Sequence, residues 1–200
     1  MLFNDYFLKR KNKNAIQIGG GKASERVEHD LYETPEYFTR QFLDKVKFNN
    51  PVLEPCCGNG RISNVLKEYG YDVSSSDIVK RDFDCEVKNF IYDDFEIGKF
   101  DICTNPPFKL LSEFVAKSSC VAKDKFCFVA RIQFLESIGR YESFFKDGIN
   151  GFYLSKVLCA TKRVDFVSVR QTAINSSAMM CAWFVFERGE RQAVIDWIID

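Results

Sequence analysis

One run in the chain has residue types that point to a specific chemistry: Asn105-Pro106-Pro107-Phe108, directly after the apolar segment Phe100-Asp101-Ile102-Cys103-Thr104. Two consecutive prolines remove two amide donors and stiffen the backbone. Carbonyl oxygens there are free to point into a site. The Asn105 side-chain oxygen and the Pro106 carbonyl can together accept both hydrogens of a planar amino group. That contact positions the nitrogen and draws its lone pair out of conjugation. Phe108 adds a face on which a flat ring can stack. The plainer alternative is an ordinary Pro-Pro loop.

Three more clusters precede it in a consistent order. Glu54-Pro55-Cys56-Cys57-Gly58-Asn59-Gly60 is a turn with two glycines between an apolar run and an amphipathic one, where backbone can pass close to a ligand. By itself a tight strand-to-helix turn accounts for it equally well. Asp77 ends the next expected strand, 17 residues beyond Gly60, where a carboxylate accepts the two hydroxyls of a ribose, although acidic residues commonly end strands. Asp93-Asp94-Phe95 offers a carboxylate for an adenine amino group and a ring to stack on it, although an acidic turn is the simpler account.

The elements that must hold these clusters alternate. Thr34 is placed to cap a helix starting at Pro35, with Tyr37, Phe38, Phe42, Leu43 and Val46 at helical spacing. Residues 51–57 read as a strand. Arg61 to Tyr69 read as a helix stopped by Gly70. Strands are expected at 71–78, 87–92, 100–104 and 126–132, with helices at 110–122 and 134–146. Two last strands, 152–158 and 182–187, have no helix-length pattern between them and pair most simply as a hairpin. Strands separated by helices imply a mostly parallel sheet with right-handed crossovers.

Bulk properties narrow the classes. At 200 residues, 46% hydrophobic and 28% charged, the chain suits one soluble domain with a real core. Phenylalanine, at 20 copies, is read as core filling. No apolar run is long enough for a membrane helix and no secretory signal is visible, so a cytoplasmic protein is expected. The eight cysteines form no Cys-x-x-Cys pair and the only histidine is His29, which leaves no metal site to expect. The thiols are expected reduced and mostly buried. Residues 1–28 look like an irregular lead-in, basic through Lys9, Arg10, Lys11, Lys13, Lys22 and Arg26, with residues 29–200 as a single catalytic domain. Gly19-Gly20-Gly21-Lys22 is not a phosphate loop, since Ile16 and Ala23 stand where glycine and a hydroxyl residue are needed. A nicotinamide fingerprint would need a third glycine at Ser63.

The order of these motifs resembles the class I S-adenosylmethionine-dependent amino-methyltransferases, and looks closest to the small phage-type DNA adenine methyltransferases. The resemblance spans roughly residues 30–187 and includes Arg131-Ile132-Gln133-Phe134-Leu135-Glu136 and the strand around Trp183. It implies a Rossmann-like three-layer α/β sandwich, with a mostly parallel seven-stranded sheet ending in an antiparallel hairpin. It implies S-adenosylmethionine as cofactor, contacted by Tyr32, Thr34, Pro35, Glu54, Pro55, Gly58, Gly60, Asp77, Ile78, Asp94, Phe95 and Asn105. Asn105, Pro106, Pro107 and Phe108 would then handle a flipped base, with direct in-line methyl transfer to nitrogen and no catalytic cysteine or metal.

A separate target-recognition domain, as in larger members of that family, is not expected within these 200 residues. Lys162, Arg163, Arg170 and Gln171, in the polar stretch 160–177, are the candidate DNA contacts. A plain solvated loop is the equal alternative, and the net charge of zero gives no bulk support for nucleic-acid binding. Other readings stay open: an amino-methyltransferase for cytosine, RNA or protein glutamine, an inactive cofactor-binding subunit, or a nucleic-acid binder that merely keeps the fold.

Overall fold

The computed structural model describes residues 32–168, 180–189 and 191–199. Its centre is a sheet of β2 (Val52–Glu54), β3 (Val73–Asp77), β4 (Glu86–Val87), β5 (Asp101–Thr104), β6 (Lys125–Arg131), β7 (Phe152–Ala160), β9 (Cys181–Arg188) and β10 (Val194–Ile198). The spatial order is β10-β7-β9-β6-β5-β2-β3-β4. All pairings are parallel except those of β9, which runs antiparallel to both β6 and β7. A separate two-stranded ribbon joins β1 (Tyr32–Glu33) to β8 (Val167–Ser168).

Alternation along the strands divides the core between two faces. Val52, Cys103, Cys127 and Val129 pack against helices α1 (Glu36–Lys45) and α2 (Arg61–Glu68), through Phe38, Phe42, Ile62, Val65 and Leu66. Leu53, Ile102, Phe126 and Phe128 point the other way, to helix α3 (Leu111–Val121) through Phe114 and Val115. This makes the three layers expected. Much of the phenylalanine excess goes into the second face. Phe126 lies opposite Phe186 and Phe128 opposite Phe184 across the β6–β9 ladder. The first pair stacks at 4.8 Å between ring centroids and the second at 5.5 Å. On the opposite face Trp183 stacks on Phe42 at 4.2 Å and donates its indole N–H to the Phe38 carbonyl.

Four sequence expectations need correction. The main sheet has eight strands among the described residues, not seven, because β10 adds a parallel edge beyond β7. The expected strand at 87–92 shrinks to Glu86–Val87, because the Asn89 side chain accepts the Ile91 amide and folds the chain into a turn. The expected helix at 134–146 is broken into a 3-10 turn at Ile132–Leu135, one α-turn at Ile138–Arg140 and a π-turn at Tyr141–Phe145. Ser137, at φ 123°, interrupts it, and the Arg140 guanidinium donates to the Gln133, Phe134 and Glu136 carbonyls across the break. Finally, Thr34 does not cap the first helix. Pro35 holds the N-cap position, its carbonyl accepting the Phe38 and Thr39 amides, with no side-chain cap.

Candidate active site

The chain leaves β2 by α2, builds outward through β3 and β4, then returns to place β5 on the other side of β2. A doubly wound sheet opens a crevice at such a reversal, outside the carboxyl ends of its strands. The Glu54–Gly60 turn leaves β2 and the Asn105–Phe108 run leaves β5, so the two sharpest motifs flank this crevice. Asp77 closes β3, the neighbour of β2 on the other side.

Glu54 is 1% exposed and accepts a hydrogen bond from the Ser63 hydroxyl, which also contacts Ser75 at 2.6 Å. Burial pushes its carboxyl up to about 8, against the opposing pull of the Ser63 hydrogen bond. Pro55, Gly58 and Gly60 are buried. Asp77 ties the turn to β3: its Oδ2 accepts the Gly58 amide at 2.8 Å and its Oδ1 the Val79 amide at 3.0 Å. Each carboxylate oxygen can accept two hydrogen bonds and here accepts one, so each retains one accepting position. Ile78, the next residue, is half exposed. Gly60 is left-handed, at φ 80°. A Cβ there would lie 2.2 Å from the Phe83 ring, so the missing side chain makes room for Phe83 from the following loop.

The Asn105 amide is fixed from one side. Its Nδ2 donates to the Tyr32 carbonyl at 2.9 Å. A carbonyl can only accept, so the amide nitrogen must face Tyr32 and Oδ1 must face the other way. Pro106 is buried and Pro107 exposed. The Pro107 carbonyl accepts the Leu110 amide at 2.9 Å, which leaves Asn105 Oδ1 and the Pro106 carbonyl as the acceptors to consider. Phe108 is half buried against the first core face, and the Arg131 guanidinium at the end of β6 lies 5.5 Å from its ring centroid.

Thr34 is 2% exposed and its hydroxyl has no hydrogen-bond partner among the described residues, as is also true of Ser76 beside Asp77. Asp94 is exposed. Phe95 is drawn into packing, 5.2 Å from Phe90 with the Lys88 ammonium 4.7 Å over its ring. Lys162 and Arg163 are exposed, while Arg170 and Gln171 lie outside the described residues.

Sequence reasoning missed Glu33, Asn59 and Arg61. The Glu33 carboxylate accepts Asn59 Nδ2 at 2.6 Å and Arg61 Nε at 2.7 Å. It also missed Arg131 as the partner of Phe108. No local signal marks these contacts, since each joins separate elements. Burial raises the thiols of Cys56, Cys103 and Cys127 well above their usual range and Cys181 to about 11, so none of these thiols stands as a thiolate nucleophile near neutral pH. Among the described residues no His, Cys, Asp and Glu group could hold a metal ion, and no helix is long and apolar enough to cross a membrane.

The sequence matches no protein-family model and no curated protein sequence. Its fold has many solved counterparts. A candidate RNA methyltransferase from Pyrococcus horikoshii is 14% identical with a TM-score of 0.56, over 78% of this chain and 86% of that one. The M protein of the type I restriction enzyme EcoKI is 11% identical with a TM-score of 0.57, over 81% of this chain and 46% of that one. A candidate hemolysin from Lactococcus lactis is 11% identical with a TM-score of 0.57, over 80% and 91%. These likenesses establish the Rossmann-like class I methyltransferase fold. They do not choose a substrate, because one fold carries many functions.

Proposed function

We propose that the protein is an S-adenosylmethionine-dependent methyltransferase that methylates the exocyclic amino group of adenine in DNA. The observation that carries this reading is the Asn105 amide, whose nitrogen is anchored on the Tyr32 carbonyl so that its oxygen is presented as an acceptor at the crevice. Residues 29–200 form the catalytic domain in this reading, and 1–28 its basic lead-in.

The residues present fit the cofactor. Asp77 keeps two accepting positions for a pair of ribose hydroxyls, Ile78 offers apolar surface beside them, and Ser76 and Thr34 bring buried hydroxyls still lacking partners. In this reading Tyr32, Pro35, Glu54, Pro55, Gly58 and Gly60 also contact the cofactor, and Asp94 and Phe95 meet its adenine. When bound, the cofactor supplies an electrophilic methyl group on a positively charged sulfur. The chain's own residues hold the acceptor. Asn105 Oδ1 and the Pro106 carbonyl accept the two amino hydrogens, while Pro107 and Phe108 fix the turn and give the base a stacking face. The nitrogen is thereby oriented with its lone pair outward. The acceleration comes from positioning and from fixed carbonyl dipoles rather than from a covalent intermediate. The base must leave the helix stack, which costs a few kcal/mol. Lys162, Arg163, Arg170 and Gln171 are the proposed DNA contacts.

The decisive assay offers labelled S-adenosylmethionine with unmethylated plasmid DNA, RNA and protein extract in parallel, followed by nucleoside analysis. N6-methyladenine from the DNA, lost in Asn105→Ala while cofactor binding persists, is the expected result. Label only in RNA or protein keeps the chemistry and overturns the substrate. Near-normal turnover in Asn105→Ala overturns the mechanism.

A further inference from the structure

β1 supplies the carbonyl that anchors Asn105, and among the described residues it pairs with β8. Glu33 ties it to the glycine turn. Its side chain is 10% exposed, and both of its oxygens are engaged by donors from the glycine turn and the start of α2: Asn59 at 2.6 Å and Arg61 at 2.7 Å. Asn59 stands between Gly58 and Gly60, and Arg61 is the first residue of α2.

We propose that Glu33 is a positioning residue for the transfer: by holding Asn59 and Arg61 it locks β1, and so fixes the Tyr32 carbonyl that dictates which end of the Asn105 amide faces the substrate. The proposal rests on the methyltransferase reading and adds a residue to it.

The physical argument concerns a two-fold choice. The last torsion of an asparagine has two roughly equivalent settings that exchange its oxygen and nitrogen. With oxygen toward the site the side chain accepts a hydrogen from an amino group, and with nitrogen toward the site it meets that group donor to donor. Among the described residues the Tyr32 carbonyl separates the two settings, and an ion pair and a hydrogen bond lie one residue away at Glu33. The geometry links the glycine turn to the Asn-Pro-Pro-Phe run through a single carboxylate. It also runs outward, because β8, the partner of β1, begins four residues after Arg163 in the chain.

The test compares Glu33→Gln, Arg61→Gln and the double variant. Glu33→Gln leaves no buried charge without a partner, since Arg61 reaches solvent, and should keep the wild-type melting temperature within a few degrees, whereas Arg61→Gln leaves the largely buried Glu33 carboxylate without its cation and should melt lower. At saturating cofactor and DNA, Glu33→Gln should lower single-turnover methyl transfer by about 10- to 100-fold. The double variant should be no slower than the slower single one, because both remove the same latch. An independent readout needs no activity: the side-chain amide signals of Asn105 in a nitrogen-15 correlation spectrum, identified by their loss in Asn105→Ala. In wild-type protein one of the two hydrogens should exchange slowly with solvent, and in Glu33→Gln that protection should disappear. If the wild type methylates DNA and Glu33→Gln keeps turnover within about two-fold, the latch is wrong and the function stands. If the wild type methylates nothing, the function fails and the amide signals alone decide, since unchanged protection in Glu33→Gln overturns the latch.

Discussion

Glu54 gives the most quantitative prediction. It is fully inside the protein beside the glycine turn, and burial raises its carboxyl from the usual 4.5 to about 8. The unfolded chain releases this proton near pH 4.5, whereas the folded protein keeps it until about pH 8. Between those values the native state binds the extra proton, so folding stability falls as pH rises. The slope is about 1.4 kcal/mol per pH unit, and the accumulated loss is about 3 kcal/mol at pH 7 and about 5 kcal/mol above pH 8. Glu54→Gln removes the ionisation but keeps an oxygen to accept the Ser63 hydroxyl. The variant should therefore match wild type near pH 4.5 and gain on it steadily as pH rises, levelling off above pH 8. Urea unfolding followed by circular dichroism at pH 5, 6, 7, 8 and 9 reads this difference directly. A stability difference that stays constant with pH would refute the reasoning, and one that shrinks with rising pH would mean that the carboxyl ionises readily inside the fold.

Two further predictions concern the same crevice. Gly60→Ala places a methyl group on a left-handed residue and against the Phe83 ring. The backbone cost of about 1–2 kcal/mol and the overpacking cost of about 1–3 kcal/mol add to about 2–5 kcal/mol, visible as a melting temperature lower by about 5–15 °C. A change under about 0.5 kcal/mol would show that Phe83 moves aside freely. Asp77→Ala should weaken cofactor binding in calorimetry, but it also leaves the Gly58 and Val79 amides without their acceptor, so a stability loss of about 1–3 kcal/mol should accompany it. Unchanged cofactor affinity in a folded Asp77→Ala would remove Asp77 from the site.

The sequence made the parallel core legible because buried strands are short apolar runs bounded by turns. Val52–Glu54 and Asp101–Thr104 fall within the runs that the pattern marks, and Lys125–Arg131 overlaps the expected 126–132 with a shift of one residue. The hairpin of β7 and β9 was legible for the same reason. β10 was not, because Val194, Ile195 and Trp197 are largely exposed and only Ile198 is fully buried, so burial leaves no alternation to read. The broken helix after β6 was hidden too. Phe134, Phe144 and Phe145 are spaced as if on a helix, yet the chain turns at Ser137 to bring all three into the aromatic layer, with Phe134 meeting Phe145 at 5.6 Å. Tertiary packing overrode a local period.

The same distinction separates what was visible of the site from what was not. Asn105-Pro106-Pro107-Phe108 and the glycine turn declare themselves because each needs particular residues at adjacent positions. The contacts that set their geometry do not. Asn105 depends on a backbone carbonyl 73 residues earlier, and any residue at that place supplies a carbonyl, so Tyr32 leaves no trace of this role in its identity. Nothing in the sequence pairs Glu33 with Arg61, 28 residues later, until the fold brings the two together. A motif thus names the atoms that touch a substrate, while the fold names the atoms that orient them. That is why the strongest test of this site lies at Glu33, where altering a residue outside the motifs should change the behaviour of one inside them.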